Sequence, residues 1–246
     1  FFEKPSYLSD FINISPKLDI IYEDENILLL NKPQGVLVHE DTDQNPENLL
    51  SHIKSYLYQK GEYLPDSENT FSPALANRID RGTGGIVIAA KNAESLRILN
   101  QKIKNREVKK YYLCLAYGHF DKKEGQIPGY LMRDEKNRKV NFSDTPFEGA
   151  KKTLTKYRVL EEFTDYSLLE AELETGRTHQ IRASFSHIGH PLLGDKKYAS
   201  LETNRKFSFS SQALFAYKLK FEFSTDGGIL EYLNGKSFEI KNVEFK

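Results

Sequence analysis

The apolar segments of this chain are short, and this limits its possible folds more than any other feature. The longest continuous apolar runs cover residues 27–30 and 85–90. They have the length of buried strands and fall far below the ~18 residues that span a bilayer. Because hydrophobic residues still make up 39% of the 246 residues, a large packed core is expected. The sequence therefore predicts a folded protein without membrane-spanning segments.

Strand patterns outnumber helix patterns along the chain. Strands are predicted over residues 18–30, 36–38, 85–90, 111–117, 153–160, 167–174, 213–223 and 229–233. Helices are predicted over residues 45–60, 92–105 and 178–188, with Asn45, Asn92 and Thr178 as N-caps. Since neighbouring strands can pair as hairpins and do not alternate regularly with helices, we expect an α+β fold. Its sheet should be long, mixed and mainly antiparallel, with flanking helices.

Nothing in the sequence resembles a linker that would divide the chain into separate domains. Residues 1–17 are predicted to form an N-terminal arm and residues 18–246 one folded domain. A single cysteine, Cys114, excludes an internal disulfide, and the first residues lack a signal-peptide pattern. We therefore expect a cytoplasmic protein. Because the sequence opens on Phe1 rather than Met, we also expect that preceding residues have been removed.

The net charge is zero, but the charges are unevenly distributed. Residues 1–50 carry ten acids and three bases, whereas residues 91–110 sum to +5 and residues 176–206 to +4. Such asymmetry favours a basic cleft for RNA or DNA over an indiscriminate polyanion binder. Lys109 and Lys110 end the first basic stretch and are candidate substrate-binding residues. Solvated helix faces would explain the same charges equally well.

The segment of residues 76–92, ANRIDRGTGGIVIAAKN, contains the first candidate reacting group. Asp80 stands between Arg78 and Arg81, ahead of a glycine-rich turn that leads into an apolar strand. A phosphate-binding loop is disfavoured, because its glycines would follow a strand and open a helix. A solvated aspartate in a loop remains one interpretation. The flanking cations favour the other, an ionised carboxylate that acts as a nucleophile or base.

The segment of residues 174–198 contains Arg182 and three histidines. Arg182 lies one turn after His179 on the predicted helix. His179, His187 and His190 lack a carboxylate or cysteine at a recognisable ligand spacing, so no metal is predicted. In the strand before this segment, alternation places Tyr112 and Tyr111 on opposite faces. Either could be a core residue, or its ring could stack on a nucleobase.

Together these segments resemble the RluA-type family of RNA pseudouridine synthases. The resemblance lies in the sequences DENILLLNKPQGVLVH, NRIDRGTGG, VKKYYLCLAYG, TGRTHQIR, GHPLLGDKKY and SSQALFAYKLKF, in this order. It covers about residues 18–223. It implies that residues 18–246 form a catalytic domain whose two halves share one sheet, with the catalytic cleft across its middle. It also implies that the protein isomerises uridine to pseudouridine without a cofactor.

The resemblance implies a role for each matching residue. Asp80 would be the catalytic aspartate, Tyr112 the catalytic tyrosine that stacks on the target uracil, and Arg182 the salt-bridge partner of Asp80. Ile181 would form an apolar wall of the pocket, and Arg78 would help to displace the target base. The sequence departs from the family pattern at three positions, none of which is a reacting group: Asn77, Gly84 and Phe215.

The expected partner is RNA, namely large-subunit ribosomal RNA or, in some branches of the family, transfer RNA. We expect no membrane partner, no metal, no cofactor and a monomer. Two other classes of protein are alternatives to a pseudouridine synthase. A catalytically silent RNA-binding module would share the basic faces but has no need for Asp80 and Arg182 in these settings. A hydrolase acting on sugars would need a second catalytic carboxylate, and no such pair stands out.

Overall fold

The computed structural model describes residues 11–39, 47–67, 70–134, 136 and 139–245. The chain divides into two compact units. The first unit is Phe1–Glu107 with Phe223–Lys236, and the second is Val108–Glu222 with Ser237–Lys246. Of the predicted arm, residues 1–10 lie outside the described residues. Within the described helices, none combines the length and apolar composition that crossing a membrane requires.

The first unit is built on antiparallel strands with two helices. The strands are β1 (Ile20–Glu23), β2 (Ile27–Lys32), β3 (Ala74–Leu75) and β4 (Gly84–Ala90), and the helices are α1 (Leu49–Gln59) and α2 (Ala93–Lys104). β2 lies between β1 and β4, while β3 pairs with β4. The apolar runs that were predicted to be buried strands form β2 and β4, and both are almost fully buried.

Two predicted elements of the first unit begin or end elsewhere. The prediction of a single strand over residues 18–30 is wrong, because the chain turns at Asp24. Its carboxylate accepts hydrogen bonds from the backbone N–H groups of Asn26 (2.7 Å) and Ile27 (2.8 Å), which stabilises the turn. Asn92 caps α2 as predicted. α1 instead begins after Asn48, and the predicted cap, Asn45, lies outside the described residues.

Residues 223–236 belong to the first unit and contact a buried ion pair there. Lys102 and Glu107 are almost fully buried, with 2.7 Å between Lys102 Nζ and Glu107 Oε2. Lys102 also donates to the backbone oxygen and hydroxyl of Thr225. The chain then forms a 3₁₀ helix, Gly228–Leu233, where a strand over residues 229–233 was predicted. Leu230 and Leu233 are buried on this turn, so the apolar residues follow a helical spacing and not alternation.

The second unit is a sheet of seven described strands with two helices. The strands are β5 (Val108–Tyr117), β6 (Glu124–Asp134), β7 (Lys139–Ser143), β8 (Lys151–Glu162), β9 (Tyr166–Leu173), β10 (Leu214–Phe221) and β11 (Ser237–Glu239). Their order is β10, β5, β9, β8, β6, β7, and β11 pairs with β10. All these pairs are antiparallel. The helices are α3 (Gln180–His187) and α4 (Leu201–Lys206).

The sheet of the second unit has two chemically different faces. Helix α3 covers one of them, which we call the helix face. Tyr112, Ala171 and Tyr157 are cross-strand partners on the helix face, and the hydroxyls of Thr155 and Ser184 join the sheet to α3 at 3.2 Å. The other face, which we call the charged face, carries alternating cations and carboxylates: Lys109, Lys156, Arg158, Glu170 and Glu172. The predicted α+β class and mainly antiparallel pairing are confirmed.

Candidate active site

Asp80 lies on a loop between β3 and β4 that is fixed at both ends. The backbone N–H of Thr83 donates to the Asp80 carbonyl oxygen at 3.0 Å, which closes a turn. At the start of the loop, the Asn77 side-chain oxygen accepts the N–H of Ile88 at 2.7 Å. Asn77 therefore has a structural role here, although it departs from the family pattern. The aspartate is held on a short rigid segment, as a positioned reacting group requires.

A second loop, which follows β2, is bonded to the Asp80 loop. The N–H of Gly35 donates to the Arg81 carbonyl oxygen at 2.8 Å, and Arg81 Nε donates back to the Gly35 carbonyl oxygen at 3.0 Å. The Gln34 side chain adds a hydrogen bond to the Gly82 carbonyl oxygen at 3.0 Å. Gly35 has φ +90°, a conformation that only glycine adopts without strain. The NKPQG turn thus braces the loop that carries Asp80.

Lys32 lies at the centre of the contacts that hold these two loops together, and no role was predicted for it from the sequence. Its side chain is fully buried, and Nζ donates to the carbonyl oxygens of Pro33 (2.9 Å), Val36 (2.9 Å) and Arg81 (3.2 Å). Burial lowers the pKa of Lys32 to about 7, while the negative charge of Asp80 acts in the opposite direction. The available signal was a lysine at the end of an apolar strand, directly before a turn. Lys32 is a positioning residue for the Asp80 loop.

Arg78 lies on the Asp80 loop and is exposed. Its charge acts on His39, which is half-buried in the first unit. Burial is the larger cause that lowers the pKa of His39, and the charges of Arg78 and Lys54 lower it further. His39 therefore experiences two nearby positive charges, although residues 1–50 are strongly acidic in total.

Tyr112 is buried on the helix face of β5, between small neighbours. Its cross-strand partners are Ala171 on β9 and Ala216 on β10. Both partners carry only a methyl side chain, so no large side chain lies directly opposite Tyr112 on either neighbouring strand. Tyr111 is on the charged face, where burial and four nearby glutamates raise its pKa to about 12. The predicted strand alternation is confirmed.

The two candidate lysines of β5 also lie on opposite faces. Lys110 shares the helix face with Tyr112, and its Nζ is 3.4 Å from where a Cβ of Gly176 would be. Burial lowers the pKa of Lys110. Lys109 lies on the charged face, 4.0 Å from Glu172 Oε1. Lys110 is therefore the lysine that can serve a site around Tyr112, and a substrate contact at Lys109 stays a prediction.

Helix α3 begins later than predicted and carries Arg182 and Ile181. The predicted N-cap Thr178 is wrong, because the helix starts at Gln180 and the residue before it, His179, has φ +52°. No side-chain hydrogen bond caps the helix, and the Gln180 side-chain oxygen accepts the Arg177 N–H of the preceding loop at 3.1 Å. Ile181 is buried, with 3% of its surface exposed, as an apolar wall would be.

Arg182 forms a buried bidentate ion pair with Asp195. Its Nε and Nη2 donate to the two Asp195 carboxylate oxygens at 2.7 and 2.8 Å, and Asp195 also accepts the backbone N–H groups of Lys197 and Tyr198. The guanidinium carbon lies 5.1 Å from the centre of the Tyr198 ring. Asp195 uses two of the five N–H donors of Arg182. Asp195 lies in the GDKKY segment, and no role was predicted for it; it is a positioning residue for Arg182.

The three histidines of this region bond to different partners. His179 Nδ1 shares a hydrogen bond with the Tyr198 hydroxyl at 2.9 Å. His187 Nε2 is 3.0 Å from an Asp144 oxygen, and His190 Nδ1 donates to the Tyr117 carbonyl oxygen at 2.9 Å. Within the described part of the chain, no three His, Cys, Asp or Glu side chains are grouped as a metal site would need.

We predict that Lys32→Met lowers the free energy of unfolding by roughly 2–4 kcal/mol, because buried carbonyl oxygens lose their donor. Between pH 7 and about 10 the unfolded chain binds more protons at Lys32 than the folded chain does, so this lysine makes stability rise with pH. The gap between wild type and variant should therefore widen from pH 7 to pH 9 in urea unfolding. Lys104→Met, at an exposed position of α2, is the control; an equal loss in both variants would refute the brace.

We further predict that Asp195→Asn costs roughly 3–5 kcal/mol of stability, because it leaves a buried guanidinium without its counter-charge. Arg182→Lys should cost less but should not combine additively with Asp195→Asn, since both changes break one bidentate pair. Chemical denaturation of the two single variants and the double variant measures this coupling. Asp165→Asn, in an exposed pair with Lys206, should stay within about 0.5 kcal/mol of wild type. Strict additivity would contradict the pairing.

Comparison with known proteins identifies the relatives of this chain. The family described as RNA pseudouridylate synthase matches residues 26–187. Ribosomal large subunit pseudouridine synthase D of Borreliella burgdorferi is 39% identical over 209 residues, which is 82% of this chain and 60% of that protein. The uncharacterised RNA pseudouridine synthase YlyB of Bacillus subtilis is 35% identical over 215 residues, 87% of this chain and 68% of that protein. The chain thus spans 60–68% of the length of these two relatives.

A solved structure shares the fold. Human RNA pseudouridylate synthase domain containing 1 superposes with a TM-score of 0.68 at 22% sequence identity, covering 91% of this chain and 83% of the human chain. At this level of identity the likeness concerns the fold alone.

Proposed function

Because the chain belongs to the RNA pseudouridylate synthase family, we propose that it isomerises specific uridines in RNA to pseudouridine. The observation that carries the proposal is the braced loop of Asp80, where buried Lys32 and the NKPQG turn fix a carboxylate in place. The family match includes Asp80, Tyr112 and Arg182. A binding module without activity gains nothing from fixing one carboxylate so firmly.

The reaction breaks the bond between N1 of uracil and the sugar, turns the base, and joins its carbon 5 to the same sugar carbon. In this proposal the ionised carboxylate of Asp80 acts at the sugar, either by attack at the anomeric carbon or by removal of a neighbouring proton. Tyr112 and Ile181 hold the freed uracil. The Tyr112 hydroxyl assists loss of the proton from carbon 5, and N1, which is no longer bonded to the sugar, takes up a proton, so that the product is an isomer of the substrate.

The target base must leave its stack before it can react, at a cost of a few kcal/mol. In the proposal, exposed Arg78 takes the place of the displaced base, and Lys110 adds positive charge on the face that carries Tyr112. As the family resemblance implies, Arg182 is the partner of Asp80 in this proposal. Asp195 then aligns the guanidinium, which keeps its charge throughout the reaction.

We propose large-subunit ribosomal RNA as the substrate, because the relative from Borreliella burgdorferi is named for that activity. Transfer RNA is the second candidate, and pseudouridine mapping in a strain that lacks the gene separates the two. The proposal also includes a cytoplasmic monomer that needs no cofactor. Loss of a pseudouridine from ribosomal RNA alone would support the first substrate, and loss from transfer RNA alone the second.

The experiment that tests the function is Asp80→Asn, which keeps the size of the side chain and removes its charge. We expect tritium release from RNA labelled at carbon 5 of uridine to fall by a factor on the order of 10⁴ or more, with RNA affinity within about threefold of wild type. Asp121→Asn, at an exposed position of the second unit, is the control. Substantial release by Asp80→Asn would refute the mechanism, and no release by wild type on any cellular RNA would refute the function.

Tyr112→Phe tests the two roles proposed for the tyrosine. The ring remains, so we expect RNA affinity to change little, while turnover should fall by about 10–100-fold if the hydroxyl handles the proton. Tyr111→Phe is the matched control, because it removes a hydroxyl from the same strand but from the charged face. Single-turnover kinetics of both variants make the comparison. A larger loss with Tyr111→Phe would contradict the assignment of the faces.

A further inference from the structure

One end of the second unit carries a group of cations that differ from the other cations of its sheet. Five basic residues at the β6–β7 hairpin and the start of β8 are exposed, and none has a carboxylate partner among the described residues: Arg133, Lys136, Lys139, Lys151 and Lys152. We call this group the hairpin cluster. Five basic residues elsewhere in the sheet behave differently, because each is paired with a glutamate: Lys109, Lys156, Arg158, Lys218 and Lys220.

The difference matters for binding a polyanion. A lysine that is already paired must give up its carboxylate before it can bind a phosphate, and the nearby carboxylate repels the phosphate. An unpaired, exposed lysine releases only counterions, which favours binding at moderate salt. The hairpin cluster is therefore the part of this sheet that is prepared to receive phosphates.

The strand register divides the cluster between the two faces of the sheet: Lys151 and Arg133 lie on the helix face, and Lys152 and Lys139 on the opposite face. Lys151 is the cross-strand partner of Leu131 on the helix face, so Arg133, two residues further along β6, is its diagonal neighbour at roughly 7–8 Å. Lys139 begins β7, and its Nζ lies 5.8 Å from the centre of the Tyr198 ring. The cluster thus extends from the sheet towards the segment that holds Asp195 and Arg182.

The cluster is also related to Tyr112 by strand geometry. Lys151 and Tyr112 both lie on the helix face. Tyr112 on β5 and Tyr157 on β8 are two strand spacings apart, because each pairs with Ala171 on β9, and Lys151 lies six residues before Tyr157 on β8. With strands ~4.8 Å apart and ~3.4 Å per residue, this is roughly 20 Å. A single nucleotide does not reach so far, but an RNA that continues beyond the target uridine does.

We infer that the hairpin cluster binds the phosphate backbone of the substrate RNA at nucleotides that flank the target uridine. The inference rests on the proposed function. It makes the cluster a second contact that raises affinity for a long RNA without taking part in the reaction. The structural alternative is that lysines protect β7, the last strand in the sheet order, from pairing with another sheet edge.

The test uses a variant with four substitutions, Lys136→Gln, Lys139→Gln, Lys151→Gln and Lys152→Gln. The control variant removes four paired cations: Lys156→Gln, Arg158→Gln, Lys218→Gln and Lys220→Gln. Both lose the same net charge. A variant with only Lys151→Gln and Lys152→Gln changes β8, which is flanked by β9 and β6, and so separates RNA binding from protection of the last strand. The substrates are a long RNA and a short stem-loop, both containing the target uridine.

On the long RNA at physiological salt, we expect KM of the fourfold variant to rise at least tenfold with kcat within twofold of wild type. The slope of log affinity against log salt should fall by about 2–3. On the short stem-loop, and in the control variant, both constants should stay within about threefold of wild type. The β8 double variant should show part of the KM effect.

Equal KM values for the fourfold and control variants on the long RNA would overturn the inference. The inference would also be overturned if the fourfold variant aggregated while the β8 double variant kept normal RNA affinity. That result would assign the lysines to protection of β7. All variants keep Asp80. If the wild type forms pseudouridine and the fourfold variant has the same KM, only the inference about the hairpin cluster is refuted. A wild type without pseudouridine formation refutes the proposed function instead.

Discussion

Successive side chains of a β-strand point to opposite faces of its sheet, and this alternation decides which residues of the second unit can serve one site. Tyr112 and Lys110 lie on the face that α3 covers, together with the small partner Ala171. Tyr111 and Lys109 lie on the charged face among glutamates. A slip of one residue in the pairing of β5 would exchange these two sets. The buried partners of β5 therefore fix the chemistry of the site as well as the core.

Helices and strands with one dominant hydrophobic periodicity were predicted correctly from the sequence. Predictions failed for elements whose boundaries are set by particular hydrogen bonds. β4 and α2 were predicted closely, because a continuous apolar run and a capped helical repeat have few alternatives. β6 and β7 were missed, since β6 contains Pro128 between two glycines and carries little apolar alternation. β7 pairs only with β6, and β6 is held in the sheet by β8, which lies further along the chain. α3 begins only after His179, whose backbone is in the left-handed conformation, and no local pattern of residue types shows this.

The candidate site residues were predicted from the family pattern, but the residues that support them were not. Lys32 and Asp195 are both fully buried, and burial of a charge is unfavourable unless it is compensated. Lys32 is compensated by three carbonyl oxygens, and Asp195 by a guanidinium and two backbone N–H groups. Neither arrangement can be read from residue types, because the partners come from separate loops. Apolar residues would satisfy the core at lower cost, so these charges are better explained by the need to hold loops in one position.

The distribution of ion pairs explains why a net charge of zero is compatible with binding a polyanion. Charges that are already paired contribute little to the potential beyond a Debye length, ~8 Å at physiological salt. On the charged face, Arg158 and Glu170 are paired in this way, so the field there largely cancels. In the hairpin cluster, cations such as Lys139 on β7 and Lys152 on β8 have no such partner among the described residues, and their field extends into solvent. Under the proposed function, the steering of an RNA towards this protein depends on the cations that remain unpaired, and the total count of charges does not reveal them.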